Sequence, residues 1–204
     1  MVVMLDKAGI SLAVLFGAAV YIFGGLPYLM LMLVFLILSI IVTKYGYYEK
    51  KEMGIYEHDR SWENVLSNGL VPAVAAVASP LVGPLPYICS ISAITSDKFA
   101  SELGVLGGKP VSLETFKKVK PGTSGAVTYL GSVSSLMGAA IIGVSCIFLF
   151  SLSPTYALIV ALVGFGGSVA DTLFGVLEEK GFGTKGTTNL VCALVGALAG
   201  YLIG

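Results

Sequence analysis

Long apolar runs separated by short polar segments dominate the chain, and their length is the first guide to what they form. A helix crosses hydrocarbon with about 20 residues. On that ruler the runs predict helices over 8–26, 27–43, 65–82, 85–100, 124–150, 155–177 and 189–203. Asn68 and Pro72 interrupt the third run, and the last is short unless Thr187 and Thr188 extend it. The pattern predicts an all-α, polytopic transmembrane helix bundle with about seven spans, six being the alternative count. It forms one integral-membrane domain over 1–204. The first run lacks a small-x-small cleavage site and reads as a spanning helix rather than a removable leader. Leu29 to Val42 is rich in Leu, Ile and Met and free of Gly, which suits a lipid-facing helix. In the sixth helix Gly164, Ser168, Asp171, Gly175 and Glu178 recur at steps of four and three, which places them on one face. Gly131, Ser135 and Gly138 repeat the pattern in the fifth helix, and Gly196 and Gly200 in the seventh. Small residues at this spacing let helix backbones approach closely.

Composition supports the membrane reading. Of the 204 residues 56% are hydrophobic and 12% charged, against about 25% charged in soluble domains. Formal net charge is zero, which argues against a nucleic-acid partner. Cys89, Cys146 and Cys192 all lie in apolar runs without zinc or disulfide spacing, and read as buried packing residues. With seven spans, every Lys and Arg60 falls on one side, which receives residues 1–7, 44–64, 98–123 and 178–188. The positive-inside rule makes that side cytoplasmic, with the N-terminus in and the C-terminus out, in a multi-pass protein of the cell membrane. Six spans break the segregation.

Two acids depart from it. Asp97 and Asp171 sit inside or at the mouth of apolar helices, where insertion scales charge about 2.5–3.5 kcal/mol for an acid at a helix centre. Each is followed by a Gly-Thr-x-Gly loop, Gly122-Thr123-Ser124-Gly125 and Gly183-Thr184-Lys185-Gly186. The first loop, with Lys120 ahead of it and a helix behind, is a candidate phosphate cradle, since free N–H groups at a helix start and glycine backbone admit an anion. Ser101 shares a helix face with Asp97, whereas Glu102 points about 140° away. Asp97 and Glu102 could meet one ion only if the helix loosens, or another element could supply the second ligand. The plainer reading pairs Lys98 with Glu102 at i,i+4. Acids beside basic glycine loops suggest a Mg2+-bridged polyphosphate, although no P-loop is present. Arg60, Asn64 and Asn68 at the third helix entry and Asn189 inside the last helix could face the same cavity. His58 reads as a lone solvated histidine.

Five ordered blocks, RSWENVLSNG, SDKFASELG, KPGTSGAVTYLG, GSVADTLFG and TTNLV, resemble the integral-membrane family of the chloroplast phytyl-phosphate kinase over roughly residues 9–200. The compact length suggests an archaeal or bacterial member. The resemblance implies a kinase that phosphorylates a prenyl monophosphate to the diphosphate, with CTP as donor and magnesium as cofactor. It carries catalytic and metal roles onto Asp97, Glu102 and Asp171, with Ser101 following in the same block. Lys98 stands where the family has Thr, and Ala126 narrows the usual glycine loop. Nucleotide and substrate contacts fall to Arg60, Asn64, Asn68, Ser101, Lys120, Gly122, Thr123, Ser124, Gly125 and Asn189. The alternatives are a CTP-dependent cytidylyltransferase and, from another class, a transporter of an anionic lipid or ion. The expected partners are the bilayer, the nucleotide and the prenyl phosphate, with self-association left open.

Overall fold

A computed structural model describes residues 4–56 and 59–204. Helix α1 spans Lys7–Gly24, α2 Leu26–Lys44, α3 Tyr47–Glu52 and α4 Trp62–Val82. They are followed by α5 (Leu85–Gly104), a 3-10 turn (Val105–Gly107), α6 (Tyr129–Leu149), α7 (Pro154–Glu179) and α8 (Lys185–Leu202). Two short strand pairs stitch the charged end: β1 (Met4–Leu5) with β2 (Asp59–Arg60) in parallel, and β3 (Val111–Ser112) with β4 (Ala126–Val127) antiparallel. Among the described residues seven helices are therefore long, as the apolar runs predict, and the eighth, α3, is a short surface helix in the 44–64 segment.

Local chemistry sets the helix starts. The Asp6 carboxylate accepts from Gly9 N at 2.6 Å and from Trp62 N at 3.4 Å, so one side chain opens α1 and holds the start of α4 beside it. Ser153 caps α7 ahead of Pro154, and Thr184 and Thr187 form a reciprocal capping box at α8. Thr128 caps α6 by accepting from Gly131 N, and its hydroxyl donates to Gly104 O at 3.0 Å, tying the end of α5 to the start of α6.

Five helices, α1, α2, α4, α6 and α7, are long and apolar enough to cross a membrane. Helices α5 and α8 are more polar, and for α5 the reason is its position. It packs against α2, α4, α6, α7 and α8, so Ser90, Ser92, Thr95 and Ser96 are buried in protein rather than lipid. Such groups find partners there: Ser92 Oγ donates to Val160 O, and Ser96 Oγ to Ser135 O. Small residues make the close fit. A Cβ on Gly196 would lie 2.6 Å from Cys89 O, and one on Gly200 2.5 Å from Leu85 O, so α8 lies backbone to backbone along α5 in the opposite sense. Gly164 does the same against Ser92, running parallel to it in α7. Leu33, Leu36, Ile37 and Ile41 of α2 are exposed, as expected of a helix facing lipid. All three cysteines are free and buried.

At the uncharged end Tyr87 O–H donates to Tyr28 O at 2.6 Å, and the Tyr28 ring rests on Tyr87 and Phe150 with centroids 4.7 and 5.1 Å away.

Candidate active site

The parallel packing of α5 and α7 brings Asp97 and Asp171 together, which sequence spacing alone left open. Both are buried, at 7% and 5% exposure, and each sits in the other's field and in that of Lys185. Lys185 is the first residue of α8, and its Nζ reaches Asp171 Oδ2 at 3.1 Å. The capping box of Thr184 and Thr187 fixes where that lysine departs. Two acids thus face the Lys185 ammonium, with Lys98 also acting on Asp97. Among the described residues three buried oxygens nearby have no hydrogen-bond partner: Asp171 Oδ1, Glu178 Oε2 and Asn189 Oδ1. Unsatisfied acceptors of this kind are rare in folded proteins and call for a donor or cation.

These groups line one end of a cavity of about 780 Å³. Asn64, Asn68, Ser101 and the Gly122–Gly125 loop share its wall, as the sequence led us to expect. The side chain of Arg60, and His58 as a whole, fall outside the described residues.

Three expectations need correction. Glu102 does not join the acid pair. α5 stays helical through Gly104, so Glu102 keeps its divergent direction and is held by Lys50 Nζ at 2.8 Å, by Thr43 Oγ1 at 2.9 Å and by Lys98. Among the described residues no three acid, His or Cys side chains are grouped to hold a metal, and the second acid comes from α7 instead. Lys120 is exposed and does not line the cavity. Its carbonyl serves as the acceptor for Thr123 Oγ1. Finally, the Gly122–Gly125 loop does not open a helix. It leads into β4, and α6 begins at Tyr129 behind its own Thr128 cap, so the helix N-terminus is not the loop's anion site.

What seats the loop is α7. A Cβ on Gly175 would stand 2.5 Å from Gly125 N, and one on Gly125 2.6 Å from Val176 N, so the two glycines allow direct backbone contact. Gly125 also has φ +69°, a conformation that favours glycine. One turn further, Glu179 Oε1 accepts from Ser124 N at 2.8 Å.

Sequence reasoning missed Lys185 and Lys50 as site residues. Lys185 lay in the second Gly-Thr-x-Gly block, and its position at a helix start following Asp171 was the available signal. Lys50 is 2% exposed and donates to Val42 O and Thr43 O as well as to Glu102, closing the end of α2. Nothing in its charged surroundings, YYEKKE, marks it as buried.

Comparison with known proteins now decides the family. Residues 2–202 match the integral membrane protein family DUF92. The chain belongs to this family. It is 38% identical to an uncharacterized membrane protein of Methanocaldococcus jannaschii, over 98% of this chain and 85% of that one. It is also similar to two Arabidopsis thaliana proteins. Protein PGR is 28% identical over 78% of this chain and 67% of its own length, and the chloroplastic protein VTE6 is 24% identical over 98% and 64%. No solved structure matches the chain.

Proposed function

We propose that this membrane protein is a kinase that moves the terminal phosphoryl group of a nucleoside triphosphate, CTP by preference, onto a prenyl monophosphate. The observation that carries this reading is the junction of two environments in one cavity. Its polar end holds Asp97, Asp171, Lys185 and three unpartnered oxygens, and its wall continues between the apolar faces of α1, α2 and α5. A soluble polyphosphate and a lipid phosphate could meet there. The resemblance to the chloroplast phytyl-phosphate kinase family supplies the chemistry.

The donor set suits magnesium, which takes hard oxygen ligands and commonly needs only one or two carboxylates beside phosphate oxygens and water. Asp97 and Asp171 would hold it, with Asn189 Oδ1 beside them, and the ion would neutralise charge on the transferring phosphates. Lys185, freed from Asp171 by that neutralisation, would turn to a phosphate oxygen as a point charge. The Gly122–Gly125 loop would bound the triphosphate from the α7 side. The acceptor phosphate is ionised at neutral pH, so no strong base is required. One of its oxygens forms the new P–O–P bond as the bond to the nucleoside diphosphate breaks. Positioning and charge neutralisation supply the rate in such transfers. By the positive-inside rule the polar end faces the cytoplasm.

Incubation of the purified protein with labelled CTP or ATP and a panel of prenyl monophosphates tests the proposal. Prenyl diphosphate together with CDP is the expected outcome. Pyrophosphate release would instead identify a cytidylyltransferase. Movement of prenyl phosphate across vesicles without turnover would identify a transporter.

A further inference from the structure

The same cavity carries a second kind of information at its apolar end. From the acid pair it passes Ile94 and Ile91 of α5 and runs between α1 and α2, where Ala13, Gly17, Leu29 and Met32 line it. Thr43 of α2 touches Glu102, and Leu29 lies fourteen residues earlier in the same helix. At 1.5 Å per residue Leu29 therefore sits about 21 Å below the charged end. Ile91 and Ile94 are fully buried behind this slot, whereas Leu33 and Leu36 on α2 are exposed, so the slot is open to lipid along one side.

Gly17 is the unusual residue here. Glycine weakens a helix interior relative to alanine, and at most helix-interior glycines of the bundle a close contact with a neighbour accounts for it, Gly166 of α7 being another exception. A Cβ on Gly69, for example, would stand 2.5 Å from the Phe16 ring. A Cβ on Gly17 would meet only Leu29 Cδ1, at the ordinary distance of 3.9 Å. Helix packing does not require glycine at this point. What glycine leaves is volume, opposite Leu29, at the far end of a slot whose near end holds Asp97, Asp171 and Lys185.

We propose that Gly17 and Leu29, backed by Ile91, form the end wall of the slot and set the longest isoprenoid tail the protein accepts. The inference rests on the kinase reading for the phosphate end, but it concerns binding alone. A tail whose phosphate lies between Lys185 and the glycine loop runs down the slot and meets Leu29. Filling the Gly17 space shortens the slot, and trimming Leu29 lengthens it.

The test measures binding of geranyl, farnesyl, geranylgeranyl and phytyl monophosphates to detergent-solubilised protein by native mass spectrometry, with geranylgeraniol as the phosphate-free control. For Gly17→Phe we expect geranylgeranyl and phytyl monophosphates to weaken by about tenfold or more, as a filled hydrophobic pocket discriminates by such factors. Geranyl monophosphate should be little changed. Leu29→Ala should shift preference toward longer tails, and it covers the case in which the phenylalanine variant fails to fold. Equal loss at all lengths, an unchanged order of preference in both variants, or wild-type binding of geranylgeraniol as tight as its monophosphate would overturn the proposal. Length-dependent binding by wild type without turnover would sink the kinase reading and leave the slot standing.

Discussion

Asp97 and Asp171 both face Lys185 in a buried setting, and that arrangement gives the residue-scale expectations. Asp97→Asn and Asp171→Asn each remove one negative charge from a site with three unpartnered oxygens nearby. Both variants should insert and fold as wild type does, and both should lose about a hundredfold or more of phosphoryl transfer, the usual loss when a preorganised electrostatic partner is removed. Turnover of both within a fewfold of wild type would refute the magnesium assignment. Glu102 separates a metal ligand from a structural anchor. Lys50 is buried and ion-paired to it, so Glu102→Gln leaves a buried cation without its counter-ion at a cost of about 3 kcal/mol, the lower end for a broken buried pair because two carbonyls still hold the ammonium. Lys50→Met should cost less, since Glu102 keeps Lys98 and Thr43. Thermal unfolding in detergent should show that order. Turnover per folded molecule should persist in Glu102→Gln.

At the scale of elements, the loop after α5 depends on α7 for its shape. Gly175→Ala drives a methyl group into Gly125 N, and the loop must lift. Glu179→Gln keeps the shape but weakens the acceptor for Ser124 N. The expected result is a raised KM for nucleotide in both, larger for Gly175→Ala, with kcat changed less. An unchanged KM in both would detach the loop from nucleotide binding. This is also where the sequence was least legible. The seven long helices were legible as apolar runs, although only five of them prove long and apolar enough to cross a membrane, and some ends fell several residues from their predicted places. The stretch from Val105 to Thr128 has no periodicity, and contacts with α7, α5, α6 and α3 and its own β3–β4 pair decide its path. That is why the first Gly-Thr-x-Gly loop read as a helix start when α6 begins beyond it. Asp97 and Asp171 were visible as costly acids on two spans running the same way, but nothing in a linear chain says that α5 and α7 pack side by side. Glu102 was misjudged for the same reason, because its partner Lys50 lies on a separate surface helix.

The whole molecule makes a claim about orientation that can be read chemically. All three native cysteines are buried, so an introduced cysteine reports cleanly. Glu114→Cys, on the exposed charged end, and Ser151→Cys, on the exposed α6–α7 turn, should label from opposite sides. In intact cells a membrane-impermeant maleimide should modify the cysteine at 151 and spare the one at 114 until the membrane is opened. The reverse pattern would place the polar end outside. The seven-span reading also explains why hydropathy undervalues α5: a helix enclosed by five others takes protein as its solvent, and it can carry serines and an aspartate that lipid would refuse.

The aromatic plug at the uncharged end has a consequence for the cell's energy economy. With Tyr87 clamped to Tyr28, and Phe150 packed edge-on against Tyr28, aromatic rings fill the uncharged end, and none of the three lines the cavity. An intramembrane acid pair is the kind of group through which protons hop. On the kinase reading it would exchange them with one compartment only, and so would not short-circuit the membrane potential. On the same reading the product would return to the leaflet that supplied its precursor, and a later traverse of the bilayer would fall to another protein.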